Sequence, residues 1–541
     1  MWQAKCLELI FIKLLFCSWH ESLPFYTKRI VNQTSNKNQR IAKNTILLYF
    51  RMLFLMVVSL FTSRVILNTL GVEDFGIYNV VGGIVAMFTI VSGSLTSAIS
   101  RFITFELGKG DIDKLRTIFS TSVNIQLGLS FIIVLIGEIG GIWFLNSQMN
   151  IPPERMEAAN YILQCSLGIF VLNLLSVPYN SAIIAHEKMG AYAYISILDI
   201  SLKLAVAYAI MLSPYDRLSS YGVLLLLEAL IIRFIYGIYS KRNFEECSYH
   251  LVRDKAVLKE MVSFAGWNFL GVTAGTLNTQ GINILMNLYF GVAVNAARGI
   301  AVQASAAITQ FVQSFTTAVN PQITKSYAAG DMAYMHSLVC RSSKFSAFLF
   351  LLMAIPLTIE TPKIFELWLK NPPEYAVLFF RLSLLGILMD NVLANSLMTA
   401  IFASGDIKKY QVYVTLWGGL VFPITWVAYK LGATPESTYI IYFFIYCIVL
   451  YVRLRVVQQK INLPMIQYLK IVLARFIPVA ILSILISLVV PFIMPPSLLR
   501  ILVTTLISCI AIGLVVYLIG LTTEERRMVI EKVRKIVIDK R

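Results

Sequence analysis

With 541 residues, 57% of them hydrophobic and only 14% charged, and a mean hydropathy of +0.73, the chain departs far from soluble globular proteins, in which roughly 25% of residues are charged. Its net charge of +17 would suit nucleic acid, but the cations cluster between apolar runs, and their position decides more than their sum; nucleic acid is excluded as a partner and membrane lipid is expected instead. The seven cysteines form no CxxC pair and the four histidines are dispersed, so no metal site and no cofactor are expected.

Residues 1-26 hold an apolar run from Cys6 to Phe16 that is too short to span and lacks the flanks of a signal peptide. It is expected to be an interfacial segment or a stretch upstream of the functional start, followed by a polar lead, Asn32 to Asn38, that completes a cytoplasmic segment 1-43. A hydrocarbon core of about 30 Å needs roughly 20 apolar residues per helix. Such runs predict fourteen transmembrane helices, near 44-69, 76-101, 117-144, 157-181, 191-213, 221-240, 260-289, 296-320, 343-360, 376-404, 410-430, 437-454, 471-494 and 499-520. The fold class is therefore an all-α polytopic membrane protein.

Every second loop is basic. Lys28, Arg29, Lys37, Arg40 and Lys43 precede the first span, Lys109, Lys114 and Arg116 follow the second, and Lys241, Arg242, Arg253, Lys255 and Lys259 follow the sixth. The series continues with Lys325, Arg341 and Lys344, then Lys408 and Lys409, then Arg453, Arg455, Lys460 and Lys470, and ends in the tail from Arg526 to Arg541. The intervening loops hold only Arg155, Arg217, Lys363, Lys370, Lys430 and Arg500, several beside acids. The positive-inside rule then puts both termini in the cytoplasm and requires an even number of spans.

A shift of 220 residues aligns 71-111 with 291-331 without a gap, matching Gly71-Val72 with Gly291-Val292 and ending on Gly110-Asp111 and Gly330-Asp331. Self-similarity at a fixed shift indicates duplication. Each unit holds six helices, so the repeats are parallel: an N-terminal bundle 44-240, a cytoplasmic linker 241-259, a C-terminal bundle 260-456, two further helices in 457-520 and a basic amphipathic tail 521-541. Parallel bundles of this kind serve transporters, with the substrate near the midplane and alternating access by rocking. In the tail, Thr522 and Glu525 form a capping box ahead of apolar Val529, Val533 and Ile536, suited to the anionic inner leaflet or simply to water.

Inside the spans, polar residues recur at helical steps. Thr273, Thr276, Gln280, Asn283 and Asn287 share a face of the seventh, and Gln303, Ala306, Gln310, Gln313, Thr317 and Asn320 a face of the eighth. The second carries a weaker stripe, Gly82, Ala86, Thr89, Gly93, Thr96 and Ser100. Small residues and amides glue membrane helices together, which suits the second span; so many amides on one face suit a water-filled cavity in the seventh and eighth. Arginine deep in a bilayer must face a bundle interior. Arg64 and Arg298 are the candidates for binding an anionic or pyrophosphate group through their guanidinium forks, while Arg51, Arg101, Arg233 and Arg381 fit snorkelling to headgroups or ion pairing. Among the intramembrane acids Glu138, Asp199, Glu228 and Asp390, Asp199 has Lys203 four residues on and reads as a structural pair; Asp390, beside Asn391 and Asn395, is the ion-coupling candidate, with H+ or Na+ left open.

The segment Ser63-Arg64-Val65-Ile66-Leu67-Asn68-Thr69-Leu70-Gly71-Val72-Glu73-Asp74-Phe75-Gly76-Ile77-Tyr78 resembles the first-helix exit of bacterial polysaccharide transporters, the O-antigen flippase-like branch of the multidrug/oligosaccharidyl-lipid/polysaccharide exporter superfamily. Ala297-Arg298-Gly299-Ile300-Ala301-Val302-Gln303, Val319-Asn320-Pro321-Gln322-Ile323-Thr324 and Ala329-Gly330-Asp331 are similar to its second half. The resemblance covers about residues 40 to 525. It implies two six-helix bundles forming a V with two extra helices, no enzymatic activity, and translocation of undecaprenyl-pyrophosphate-linked oligosaccharide to the periplasmic leaflet of the inner membrane. It further implies a cationic cavity to which Arg64 and Arg298 are carried over; Gln280, Asn283, Gln303, Gln310, Gln313 and Asn320 complete the expected substrate contacts. A monomer is expected, with polysaccharide polymerase or assembly machinery as prospective partners. The alternative is a cation-coupled exporter of the multidrug and toxin extrusion type; its cavity should favour acids and aromatics, against which Arg64 and Arg298 argue. A membrane enzyme such as a glycosyltransferase would need a sizeable outer loop or an acidic metal motif, and neither is present in the sequence.

Overall fold

The apolar runs become helices, joined by short loops. The computed structural model describes residues 27–527 apart from 87, 149–150, 370–371 and 524, and some side chains within the helices, Arg64's among them, stay outside the description. The expectations for residues 1-26 and for the tail beyond 527 fall outside it. The described residues are all-α, with no strand among them, and divide into two compact units, Leu47–Val272 and Thr273–Arg541 together with Met1–Ile46. The two helices after Ile461 thus group with the second-half helices.

Helix α1 (Thr27–Ala86), within which the first unit begins, breaks its helical backbone at Gly71 (φ 82°, ψ 171°). It is followed by α2 (Thr89–Lys109), α3 (Ile112–Ile136, widening at Gly137–Gly141), α4 (Met156–Ala185), α5 (Met189–Ala209) and α6 (Arg217–Asn243). Helix α4 packs along α6, α2 and α3, around a core of Val65, Ile77, Val81, Ile162, Leu167 and Tyr221.

The second unit begins within α7 (Lys255–Ala328), which breaks at Gly291 (φ 81°, ψ −178°). There follow α8 (Met332–Leu369), α9 (Ala376–Ile387), a wide helical turn at Leu388–Val392, α10 (Asn395–Ser404), α11 (Lys408–Gly419), α12 (Val421–Lys430), α13 (Ser437–Ile461), α14 (Ala474–Ile493) and α15 (Leu498–Val515). Helix α13 packs against α9 to α12, and α14 and α15 pack on each other and on α8.

Among the described residues, ten helices are long and apolar enough to cross a membrane, between Ile112 and Gly520. The other four expected spans, 44-69, 76-101, 260-289 and 296-320, fall on α1, α2 and α7; they are the four that carry Arg64, the small-residue stripe and the two amide-rich faces.

Two conformations recur 220 residues apart. Gly71 and Gly291 share a positive φ with extended ψ, a region almost reserved for glycine. No atom lies within 4 Å of where a Cβ would stand at either, so the demand is conformational and not one of space. Gly110 (φ 81°) and Gly330 (φ 76°) each end a helix in the left-handed region. The next residue caps the following helix in both places: Asp111 accepts from the Lys114 amide at 3.0 Å and Asp331 from the Tyr334 amide at 3.1 Å.

Several cations read as loop charge are buried in helices. Lys344 of α8 is 0% exposed and its Nζ donates to both oxygens of Glu525 at 2.9 and 2.6 Å. Glu525 also completes the expected capping box, accepting from the Thr522 amide at 2.8 Å while its own amide donates to Thr522 Oγ1 at 3.1 Å. Burial pushes this carboxyl up, but the Lys344 charge and these hydrogen bonds outweigh it and hold Glu525 below the ordinary value. Sixteen residues further along α8, Glu360 is wholly buried and accepts from Arg500 Nε and Nη2 at 3.1 and 2.9 Å and from Thr504 at 2.8 Å. Such pairs persist inside a low-dielectric body because removal of one partner strands the other.

Candidate functional site

Helix α7 supplies the centre of the site. Its break at Gly291 folds the chain back, so residues 15 apart in sequence become neighbours: Arg298 Nε donates to Asn283 Oδ1 at 2.7 Å. Arg298 Nη2 donates to the Thr279 carbonyl at 3.0 Å, and Asn283 Nδ2 donates to Gln280 Oε1 at 3.0 Å. Gln280, Asn283 and Arg298, all expected from sequence, thus form one hydrogen-bonded chain, open at Gln280 and buried at Arg298, which is 6% exposed. Among the described residues no carboxylate lies within ion-pair distance of the guanidinium. Elsewhere in the second unit, Tyr439 Oη of α13 is buried with no hydrogen-bond partner.

A fixed cation held by one neutral amide and a carbonyl is equipped to receive an anion. The guanidinium cannot shed its proton, so the charge persists at any working pH. The hydrogen bonds to Asn283 and Thr279 orient the fork without neutralising it.

The remaining expected residues divide. Gln303, Gln310 and Gln313 follow one another along an accessible stripe of α7 with Ala306. Asn320 is partly buried instead; its Nδ2 donates to Asn395 Oδ1 at 3.3 Å, and its own Oδ1 is buried without a partner. Arg64 sits on α1, with its side chain outside the description. Asp390, in the wide turn of the second unit, is held: Arg453 Nη2 donates to its Oδ1 at 2.9 Å, Arg453 Nη1 to its carbonyl at 3.0 Å, and Tyr442 Oη to its Oδ2 at 3.2 Å.

In the first unit Asp199 and Lys203 form the expected pair at 2.7 Å. Glu228 is 4% exposed and its Oε1 is buried with no hydrogen-bond partner. The arginines expected to snorkel or pair meet rings or a backbone carbonyl. Arg51 lies 4.4 Å over the Tyr192 ring, Arg233 4.2 Å over Tyr179, and Arg101, 8% exposed, 4.5 Å from each of Phe102 and Phe105; the quadrupole of each ring meets the cation. Arg381 donates to the Thr358 carbonyl at 2.9 Å.

Sequence reasoning missed the tyrosines and Arg453. Tyr439, Tyr442, Tyr446 and Arg453 recur along α13 at steps of three, four and seven, a spacing that puts them on one face. That periodicity was available, but it is hidden in a span that is apolar on average.

Residues 49–209 match the family described as MatE. The chain is 18% identical over 300 residues to the "Uncharacterized membrane protein EpsK" of Bacillus subtilis (strain 168); the match covers 55% of this chain and 58% of that protein. The fold is similar to that of "MATE in the bent conformation" (TM-score 0.69, 13% identity, 84% of this chain and 97% of that one). It is similar also to a MOP superfamily transporter from Pyrococcus furiosus described under the words "Reverse polarity of binding pocket suggests different function" (TM-score 0.66, 13% identity, 83% and 98%). A third is an outward-facing multidrug resistance MATE family transporter (TM-score 0.66, 13% identity, 78% and 96%). The likeness establishes the fold that these structures share.

Proposed function

We propose that the chain is a flippase that carries an undecaprenyl-pyrophosphate-linked oligosaccharide, an O-antigen, capsule or exopolysaccharide repeat unit, from the cytoplasmic to the periplasmic leaflet of a bacterial inner membrane by alternating access. The observation that carries this reading is Arg298: buried, oriented by Asn283 and Thr279, and without a carboxylate partner among the described residues. A pyrophosphate supplies the missing anion in a form that a guanidinium fork can grip in bidentate fashion. Gln280 and the accessible Gln303, Gln310 and Gln313 offer donors and acceptors to sugar hydroxyls. The basic loops put both termini in the cytoplasm, in a fourteen-helix, two-repeat layout that works as a monomer and hands its cargo to polymerase machinery.

The second reading, a cation-coupled multidrug exporter, is favoured by the match of residues 49–209 and by the fold. A pocket for cations should present acids, and the centre described here presents arginine. One structure of this fold is discussed in terms of reversed pocket polarity, which brings both signs of charge within the range of the fold.

The test is translocation of a fluorescent undecaprenyl-pyrophosphate glycan in proteoliposomes. Arg298→Ala should slow it at least about tenfold, the loss of one charge-assisted contact of about 1.5–3 kcal/mol, with the protein still folded by size exclusion. Arg298→Lys should restore only part, since an ammonium cannot reproduce the fork. Unchanged translocation by Arg298→Ala, or efflux of lipophilic cations in its place, would sink the flippase reading.

A further inference from the structure

Three elements of the second unit meet at Gly520, the last residue of the wide turn Val516–Gly520 that ends α15. A Cβ there would stand 2.8 Å from Phe348 Cζ of α8 and 3.4 Å from Val479 Cγ2 of α14, so the Gly520 backbone lies directly against both side chains. Chain direction fixes what lies beyond that contact. Glu360 of α8 meets Arg500 near the start of α15, and Lys344 of α8 meets Glu525 after its end, so α8 and α15 run in opposite directions. Helix α14 turns into α15 through a short loop and packs along it, so α14 runs with α8. Lys344 and Arg475, one turn before Phe348 and Val479, therefore lie on the same side of the contact as Glu525. At a spacing of four, each shares the face of the residue it precedes.

These residues have unequal partners. Lys344 Nζ is held by both oxygens of Glu525, and Arg341 Nε stands 3.7 Å from the same carboxylate. Arg475 is half-buried, and among the described residues it has neither an ion pair nor a hydrogen bond. Arg526 has no carboxylate there either: its Nη2 donates to the Leu518 carbonyl, its guanidinium lies 5.6 Å from the centre of the Tyr517 ring, and its Nε is buried with no partner. Glu525 is thus the one described acid among Arg341, Lys344, Arg475 and Arg526.

Beyond Arg475 the surface is apolar and open. Leu482, Leu485 and Val489 follow it along α14 at steps of seven, three and four, on one helical face, and are 39%, 57% and 51% exposed. At about 1.5 Å per residue, Leu482 and Leu485 lie about 10 and 15 Å further along the helix, the depth of one leaflet in a hydrocarbon core about 30 Å thick. A cation at the head of an exposed apolar stripe of that length matches a lipid, phosphate at one end and acyl chain at the other.

We propose that Arg475 and Arg526, beside the Lys344–Glu525 clamp, bind the headgroup phosphate of an anionic phospholipid whose acyl chain lies along Leu482 and Leu485. Guanidinium groups grip phosphate oxygens through paired N–H donors, and the surplus positive charge of the cluster selects an anionic over a zwitterionic headgroup. This lipid is distinct from the transported cargo, and the proposal stands whether that cargo is a glycan or a drug.

The full chain in detergent, given phosphatidylglycerol or phosphatidylcholine with the same acyl chains, reports the lipid it retains by native mass spectrometry. Phosphatidylglycerol should be retained in preference. Arg475→Ala and Arg526→Ala should each cut that preference about fivefold, the worth of one interfacial cation. Lys470→Ala, which removes an equal charge from an exposed position, should leave it unchanged, and glycerol phosphate, with the charge but no chain, should not displace the lipid. Equal retention of the two lipids by the wild type, or an unchanged preference in both arginine variants, overturns the proposal. An effect of Lys470→Ala as large as that of Arg475→Ala overturns it by marking a diffuse surface charge, and displacement by glycerol phosphate does so by assigning the cations to a soluble anion. Neither arginine has a described carboxylate to strand, so both variants should fold; should Arg475→Ala not fold, Arg526→Ala decides.

Discussion

At Gly71 the chain turns inside a cage of charge. Arg155 Nε donates to Asp74 Oδ1 at 2.8 Å and its Nη1 to Asp216 Oδ1 at 2.7 Å, and Arg217 reaches back to the Thr69 carbonyl at 3.1 Å. At Gly291, with the same backbone angles, the turn is flanked by rings: Phe290 meets Tyr429 edge to face at 4.8 Å, Tyr289 lies 5.6 Å from it, and the Tyr429 hydroxyl bonds Pro435 O at 3.1 Å and Thr438. One bend is thus enforced twice by unrelated chemistry. Backbone conformation is the shared requirement; the surroundings only have to hold it.

The comparison breaks most visibly at Arg155. Arg155→Ala leaves Asp74 and Asp216 without their cation and should cost about 2–3 kcal/mol, below the usual range for a fully buried pair because Arg155 is partly exposed; thermal unfolding in detergent measures it. That difference should collapse in acid. Burial raises the Asp216 carboxyl, but the Ser219 amide and Arg155 outweigh it and leave it below the ordinary value. A depressed carboxyl stabilises above its unfolded value of about 3.9 and ceases to do so as pH falls through the folded one. Wild type and Arg155→Ala should therefore differ fully at pH 7 and progressively less as pH falls below about 3.9. Next in size, Gly71→Ala and Gly291→Ala should each cost about 1–3 kcal/mol from the strained φ, and by similar amounts; a large inequality in melting temperature would show that the two bends are not equivalent. The smallest effect is Tyr429→Phe, which loses the hydroxyl's bonds to Pro435 O and Thr438, together worth about 1–2 kcal/mol, and keeps the ring; a larger loss would mean that the second turn depends on polar holding as well.

Much of this was legible because it is local. Apolar runs gave the ten long spans; Asp199 and Lys203 pair at four residues' distance on one helix; Thr522 and Glu525 cap at three; Arg298 found Asn283 and Gln280 because they belong to neighbouring segments of one helix joined at a glycine. What stayed hidden depends on distant partners. Arg453 and Lys344 read as cytoplasmic loop charge, because a positive residue near a span end is indistinguishable in sequence from one folded inward against Asp390 or Glu525. Asp390 looked available for an ion for the same reason: its partner lies 63 residues away.

The buried pairs along α8 bear on how such a protein could be shortened or rebuilt. A chain ended after Ile461 would lose Glu525 and Arg500 together, leaving Lys344 and Glu360 bare inside α8 with opposite unpaired charges. The two last helices are therefore not a detachable module, and a shortened chain cut from this sequence would first have to replace Lys344 and Glu360 with apolar residues.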